Sequence, residues 1–230
     1  MAIKSEQDYR NRVAKLKPRL FMGGKRVKDL TDHPITRGVI DATARVYALT
    51  MDPQYADIMQ SMSHLTGEPI SRALHIHQSK EDLHKRLDMA RLSSQKLGTC
   101  NYRCPGNEML PSLAATTWEI DQDKGTDYHQ RFNAFLKYAQ ENDLVVSGSV
   151  TDPKGDRSKR PLQQDPDYYV HVVEKRSDGI VVCGAKQHAT GAYTADETLV
   201  LPEISCREGE EEYALAFVIP NGAEGVTYIA

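Results

Sequence analysis

Little in this 230-residue sequence points to a membrane, a secretory route or a nucleic acid. Its formal net charge is only −3, so no excess of one sign favours phosphate-rich polymers or anionic lipids. No apolar run approaches the roughly 20 residues of a membrane span, and the polar N-terminus lacks the apolar segment of a secretory signal. We therefore expect a cytoplasmic globular protein without nucleic-acid or membrane partners.

Cysteine is scarce as well, and its four occurrences are too few for a disulfide scaffold. Their spacing is more informative, because Cys100 and Cys104 are four residues apart and share a face if this segment is helical. Both sulfurs can then face one metal centre, and iron–sulfur clusters are held mainly by thiolates. The alternative is two small buried thiols on a packed helix. For Cys183 and Cys206 we expect buried structural thiols.

The first part of the chain, residues 1–142, has the patterns of a helical domain. Ser5 and Ser79 are suited to N-cap helices, Pro34 and Pro53 suit first helical turns, and Gly23-Gly24 suits a hairpin turn. The predicted helices cover residues 5–17, a segment after Pro34, a segment after Asp52, and residues 79–94, 95–117 and 127–141, with a hairpin at 19–28.

The second part, residues 143–230, changes to short β-rich runs separated by turn signals, which predicts a small antiparallel β domain. The fold class is therefore α+β, with a helical domain at 1–142 and a β domain at 143–230. The predicted strands are 144–150, 168–175, 180–187, 197–201, 213–219 and 226–229.

Two loops in this second part have residues suited to cofactor binding. The first combines glycine, proline and basic side chains, and such a loop can bind a phosphate or a flavin edge through its backbone N–H groups. Its residues are Val150, Thr151, Asp152, Pro153, Lys154, Gly155, Asp156 and Arg157. The second loop, at residues 184–191, ends in small residues and carries Thr190, whose hydroxyl can hydrogen-bond a cofactor ring. Taken singly, each loop is better explained as an ordinary surface turn.

His75 and His77 form the remaining candidate metal pair. Residues two apart do not share a helix face, so we do not expect a metal there.

Taken in order, these segments resemble the 4-hydroxybutyryl-CoA dehydratase (vinylacetyl-CoA isomerase) family, within the wider group of 4-hydroxyphenylacetate 3-hydroxylase-like flavoproteins. The resemblance covers essentially the whole sequence. It is carried by Asp32-His33-Pro34, Asp52-Pro53-Gln54-Tyr55, His77-Gln78-Ser79, Cys100 with Cys104, Glu119-Ile120-Asp121-Gln122, Leu136-Lys137-Tyr138, Gln140-Glu141-Asn142-Asp143, residues 151–157, Val173-Glu174-Lys175-Arg176, Asp178-Gly179-Ile180-Val181-Val182, and Gly184-Ala185-Lys186 with Thr190-Gly191.

The resemblance implies an acyl-CoA dehydrogenase-like fold, in which a C-terminal helical bundle follows the helical and β domains. It implies that Cys100 and Cys104 are two ligands of a [4Fe–4S] cluster. It also implies that residues 150–157 and Thr190 lie against FAD, with Thr190 near the reactive part of the ring. The implied reaction is dehydration of 4-hydroxybutyryl-CoA to crotonyl-CoA, with isomerisation of vinylacetyl-CoA, by a flavin radical mechanism that the cluster assists.

The sequence is about half as long as this family leads us to expect. The resemblance places the remaining cluster ligands (a His and a third Cys), the catalytic carboxylates and the bundle beyond residue 230. We therefore expect a C-terminal half or second chain as partner, in a homo-oligomeric assembly that binds an acyl-CoA. The alternatives are an inactive folded fragment and an FAD-dependent aromatic monooxygenase component. The cysteine pair favours the dehydratase over the monooxygenase.

Overall fold

Six α-helices dominate the first part of the chain in the computed structural model, which describes residues 2–230. Their bounds are α1 (Glu6–Val13), α2 (Pro34–Met51), α3 (Ala56–Met59), α4 (Lys80–Leu97), α5 (Cys104–Lys124) and α6 (Tyr128–Asn142). The expected caps are present: Ser5 forms a capping box with Asp8, and the Ser79 hydroxyl accepts from the Asp82 N–H. These caps satisfy N–H groups that a helix start leaves unpaired.

The strands are short and form four small sheets within residues 2–230. Their bounds are β1 (Arg19–Met22), β2 (Lys25–Val27), β3 (Gln60–Met62), β4 (Pro69–Ser71), β5 (Val146–Ser149), β6 (His171–Arg176), β7 (Gly179–Cys183), β8 (Glu197–Val200), β9 (Phe217–Pro220) and β10 (Thr227–Ile229). The sheet orders are β10-β1-β2, β3-β4, β5-β8-β9 and β6-β7. The hairpin expected around Gly23-Gly24 is β1-β2.

The expectation of purely antiparallel pairing in the second part is wrong for two strand pairs. Strand β5 pairs with β8 in parallel, and β10 pairs with β1 in parallel. A parallel pair needs a long connection between its strands. The segment between β5 and β8 supplies one, because it contains the separate β6-β7 hairpin.

The helix expected over residues 95–117 begins later than its pattern indicates. Gly98 ends α4 in the left-handed conformation, and Tyr102 has a φ of +56°. Helix α5 starts only at Cys104, with Pro105 in its first turn, and continues to Lys124. Cys100 therefore lies in the loop before the helix, and the shared-face argument for the cysteine pair does not apply.

The core consists of three apolar clusters in the described part of the chain, and two of them contain residues from both sides of residue 142. One joins Tyr9 and Tyr47 to Val145 and Ala195, and another joins α5 and α6 to β5 and β8. The boundary between the two predicted domains stays a prediction. Within residues 2–230, no helix is long and apolar enough to cross a bilayer.

Candidate cofactor site

Cys100 and Cys104 lie side by side although a loop, not a helix, connects them. Their Sγ atoms are 3.9 Å apart, Cys100 is exposed, and Cys104 is half-buried at the first position of α5. The Tyr102 N–H points at the Cys100 sulfur, at 3.4 Å. Burial and the neighbouring Cys100 sulfur raise the pKa of Cys104 to about 12. The pair is thus a preformed dithiol that opens to solvent on one side.

We call residues 100–104 the cysteine loop. Tyr102 connects it to the loop that carries Thr190. A Cβ atom placed on Gly191 would lie 2.8 Å from Cδ1 of the Tyr102 ring, so only glycine leaves room for this contact. Gly191 also has a φ of +76°, which favours glycine. Thr190 itself is exposed, and its N–H donates to the His188 carbonyl over 3.0 Å.

The start of the loop at 150–157 is bound to the segment that connects β7 to Thr190. The Gln187 N–H donates to the Thr151 carbonyl over 2.9 Å, and the Lys186 ammonium donates to the Val150 carbonyl over 2.7 Å. The same ammonium forms an ion pair with the buried Asp152 carboxylate. Burial raises the pKa of Asp152, although the Lys186 ammonium opposes this effect.

The rest of that loop projects outward. Lys154, Asp156 and Arg157 are exposed. Gly155 packs so closely on Gln164 and Tyr168 that an added Cβ would lie 2.3 Å from the Gln164 Oε1 atom. The loop is therefore rooted in buried contacts at one end and presents two cationic side chains to solvent at the other.

These features fit the cofactors that the resemblance implies, to different extents. Among the described residues, the buried Nε2 atom of Gln187 finds no hydrogen-bond partner, and it is free to donate to a flavin held between the 150–157 loop and Thr190. The exposed Lys154 and Arg157 suit a cofactor phosphate. The two thiols have the chemistry of iron–sulfur cluster ligands. Residues 2–230 contain no group of three or more His, Cys, Asp or Glu side chains that could hold a metal ion, so the remaining ligands would come from elsewhere.

Other candidate residues lie apart from this site. The expectation of buried thiols is wrong for Cys183, which is exposed at the end of β7, and too strong for Cys206, which is half-buried. A two-stranded hairpin leaves one face of Cys183 uncovered, which explains the exposure. His75 is buried beside Asp82, with its Nε2 atom 3.2 Å from Oδ1.

Several residues that build the site had no sequence signal that identified them. Arg103 is almost completely buried and pairs with Asp143, 40 positions along the chain, at 2.6 Å. Tyr102 and Gln187 are polar residues in loops, with no periodicity around them. A glycine can permit such a close approach, as Gly191 does here.

An apolar cavity of about 530 Å³ lies farther along α5. It is lined by α5, α6, Leu199 and the segment at 214–218. It has a size suited to a small ligand, but it is separate from the dithiol and from Thr190.

Comparison with known proteins identifies the family. The family model described as 4-hydroxyphenylacetate 3-hydroxylase N terminal matches residues 5–230. The 4-hydroxybutyryl-CoA dehydratase/vinylacetyl-CoA-Delta-isomerase of Clostridium aminobutyricum, an enzyme, is 45% identical over 230 residues, covering 100% of this chain and 47% of that protein. The chain thus spans about half the length of the curated relatives it matches.

Solved structures agree with this assignment. An oxygen-tolerant archaeal 4-hydroxybutyryl-CoA dehydratase from N. maritimus superposes with a TM-score of 0.95 at 40% identity, covering 99% of this chain and 45% of that one. The oxygenase component of 4-hydroxyphenylacetate 3-monooxygenase complexed with FAD superposes with a TM-score of 0.81 at 29% identity, covering 98% and 46%. The chain belongs to the 4-hydroxyphenylacetate 3-hydroxylase N-terminal family.

Proposed function

We propose that this chain forms the N-terminal part of a dehydratase that converts 4-hydroxybutyryl-CoA to crotonyl-CoA and isomerises vinylacetyl-CoA, with FAD and a [4Fe–4S] cluster as cofactors. The observation that carries the proposal is the convergence of three separate segments. The cysteine loop contacts Gly191 through Tyr102, and the Thr190 loop is bound to the 150–157 loop through Gln187. One site can therefore hold a cluster and a flavin as neighbours.

Similarity favours the dehydratase over the oxygenase branch of the family. The dehydratase relatives are 45% and 40% identical to this chain, against 29% for the FAD-bound oxygenase component. The oxygenase structure nevertheless supports FAD as a cofactor here, because its fold matches over 98% of this chain.

The cysteine pair would hold the cluster. Cys100 and Cys104 would bind iron from one side, and the family's His and third Cys would complete the ligand set from the remaining part of the enzyme. Because the Cys104 pKa is raised to about 12, its thiol is protonated at neutral pH, and iron must displace that proton on binding.

The two loops of the second part would bind the flavin. The 150–157 loop would bind phosphate through its backbone N–H groups and the exposed Lys154 and Arg157. The Thr190 hydroxyl would hydrogen-bond the ring near its reactive part, and Gln187 Nε2 would donate a further hydrogen bond. When bound, the flavin supplies one-electron chemistry and the cluster supplies a Lewis-acidic iron, while the protein orients both toward the acyl thioester.

The architecture of the whole enzyme is part of the same proposal. We propose an acyl-CoA dehydrogenase-like arrangement, in which a C-terminal helical bundle closes the flavin site and supports a homo-oligomer. The four free cysteines suit a reducing compartment, the cytoplasm.

Activity of the assembled enzyme tests the proposal. The chain is combined, without oxygen, with a polypeptide that covers the remaining length of the relatives, and is loaded with FAD, iron and sulfide. We expect crotonyl-CoA to form from 4-hydroxybutyryl-CoA, and we expect Cys183→Ala to retain this activity and Cys100→Ala to lose it.

Other outcomes would contradict the proposal. Oxygen-dependent hydroxylation of 4-hydroxyphenylacetate, without dehydration, would assign the chain to the oxygenase branch. An assembly that binds both cofactors but converts neither 4-hydroxybutyryl-CoA nor vinylacetyl-CoA would overturn the proposed reaction.

A further inference from the structure

Arg103 is buried immediately beside the dithiol, in a position where an apolar side chain would be expected. The residue is 2% exposed, and its Nη2 atom donates to Asp143 Oδ1 over 2.6 Å and to the Leu144 carbonyl over 3.3 Å. The guanidinium carbon lies 4.5 Å from the centre of the Tyr47 ring. Asp143 is 1% exposed and also accepts from the Lys4 N–H.

This burial is costly and only partly compensated. Among the described residues, Nε and Nη1 of Arg103 find no hydrogen-bond partner. Burial by itself lowers the pKa of Arg103, but the Asp143 carboxylate and Tyr47 outweigh it and hold the pKa above its ordinary value. A buried ion pair of this kind is weak evidence for added stability, since apolar replacements are often as stable. Its directional hydrogen bonds instead fix the positions of the chain segments that they connect.

The segment that these hydrogen bonds hold in place is the cysteine loop, residues 100–104. The Arg103 N–H donates to the buried Asn101 Oδ1 over 2.9 Å, and between them Tyr102 has a φ of +56°. Non-glycine residues enter this conformation only when their surroundings hold them there. The loop is therefore fixed at residues 101, 102 and 103, with Cys100 just before it and Cys104 just after it.

We propose that the buried Arg103–Asp143 pair is the positioning element of the dithiol, and that it holds the Cys100 and Cys104 sulfurs close enough together for one thiol-binding centre to engage both. Arg103 is a positioning residue and touches neither the cluster nor the substrate. The relevance of this role to a cluster rests on the proposed function, but the spacing of the two sulfurs can be tested without iron.

A trivalent arsenical, phenylarsine oxide, is a suitable probe of that spacing. It forms two As–S bonds with a pair of thiols, and its oxygen leaves as water with the two thiol protons, so no oxidant or reductant is needed. The two exposed or half-buried thiols elsewhere are removed first, by Cys183→Ser and Cys206→Ser. Binding through two linked contacts exceeds single-contact binding by roughly a hundredfold or more.

The variants separate positioning from folding. Arg103→Met leaves Asp143 as an uncompensated buried charge, so Arg103→Met with Asp143→Asn removes both charges together. Arg103→Lys keeps the charge but replaces the planar guanidinium, whose donors have a fixed geometry, with an ammonium on a flexible chain. Arg160→Met is the control: Arg160 is half-buried and pairs with the buried Glu210, away from the dithiol and from α5.

We expect the otherwise unchanged chain to bind one arsenical per molecule, and we expect Cys104→Ser to weaken this binding roughly a hundredfold. The double variant should lose about tenfold or more of the affinity while iodoacetamide still alkylates Cys100 at a similar rate. Arg103→Lys should give a smaller loss, and Arg160→Met should bind the arsenical normally, even with a lower unfolding midpoint.

Two results would overturn the inference. One is a folded double variant that binds the arsenical as tightly as the parent chain. The other is an equal loss of affinity in Arg160→Met, which would reduce the role of Arg103 to general stability. A chain that binds the arsenical normally but fails to assemble a cluster would count against the proposed function and leave this inference standing.

Discussion

Glu197 is a buried carboxyl group that titrates near neutrality. It is 9% exposed at the start of β8, and burial, with a smaller effect of neighbouring Asp196, raises its pKa to about 7. A carboxyl group whose pKa is higher in the folded than in the unfolded chain destabilises the fold as it ionises. That penalty is absent below the unfolded pKa, grows between about pH 4.5 and 7, and stays constant above.

We therefore predict that Glu197→Gln increases the free energy of unfolding by about 1–3 kcal/mol more at pH 8 than at pH 5. Urea unfolding at the two pH values measures the difference. An effect of Glu197→Gln that is the same at both pH values would show that this carboxyl does not titrate as its surroundings imply.

Thr190 carries the prediction on the flavin side of the site. Thr190→Val keeps the shape of the side chain and removes only the hydroxyl, so it should slow flavin reduction by about 3- to 10-fold. The dissociation constant for FAD, measured by flavin fluorescence, should change much less. Thr227→Val, at an exposed position on β10, is the control. Equal losses in binding and reduction would make Thr190 a packing residue only.

At the scale of elements, the start of α5 determines where Cys104 lies. Gly106 packs directly on the short 3₁₀ helix Arg72–Leu74, and a Cβ atom at this position would lie 2.6 Å from the Ala73 carbonyl oxygen. Because that oxygen belongs to the backbone, the helix itself would have to move. The close approach fixes the start of α5 against the preceding part of the chain.

We predict that Gly106→Ala destabilises the protein by about 1–3 kcal/mol, although alanine favours helix formation. The matched control is Gly38→Ala in α2, where a Cβ atom would have no neighbour within 4 Å. That substitution should instead stabilise the protein by about 0.5–1 kcal/mol. Thermal unfolding of the two variants would contradict this account if both shift the midpoint in the same direction.

Element boundaries with local causes could be predicted from the sequence. Ser5, Pro34 and Ser79 act through contacts within one helical turn, and α1, α2 and α4 begin where these residues predict. The start of α5 could not be predicted in the same way. It depends on Tyr102 in a left-handed conformation, on the contact of Tyr102 with Gly191 and on the Arg103–Asp143 pair. The last two join distant parts of the chain.

At the scale of the whole molecule, the parallel strand pairs and the site both depend on contacts between residues that are far apart in the sequence. Strand β10 joins β1, and β5 joins β8, over separations that no local pattern encodes. The cysteine pair was recognisable by its spacing, but the reason given for it, a shared helix face, was wrong. What brings the sulfurs together is a loop held by Arg103 and Asp143. The roles of residues 150–157 and Thr190 stay predictions.

The central claim is that the dithiol and the two loops form one site for a cluster and a flavin. The most direct test is the absorption spectrum, with iron and FAD content, of the chain assembled with the polypeptide covering the relatives' remaining length and reconstituted without oxygen. We predict flavin bands with a broad iron–sulfur absorption, loss of the iron–sulfur absorption alone in Cys100→Ala, and no change in Cys183→Ala. Unchanged iron content in Cys100→Ala, or an assembly that binds neither cofactor, would contradict the account.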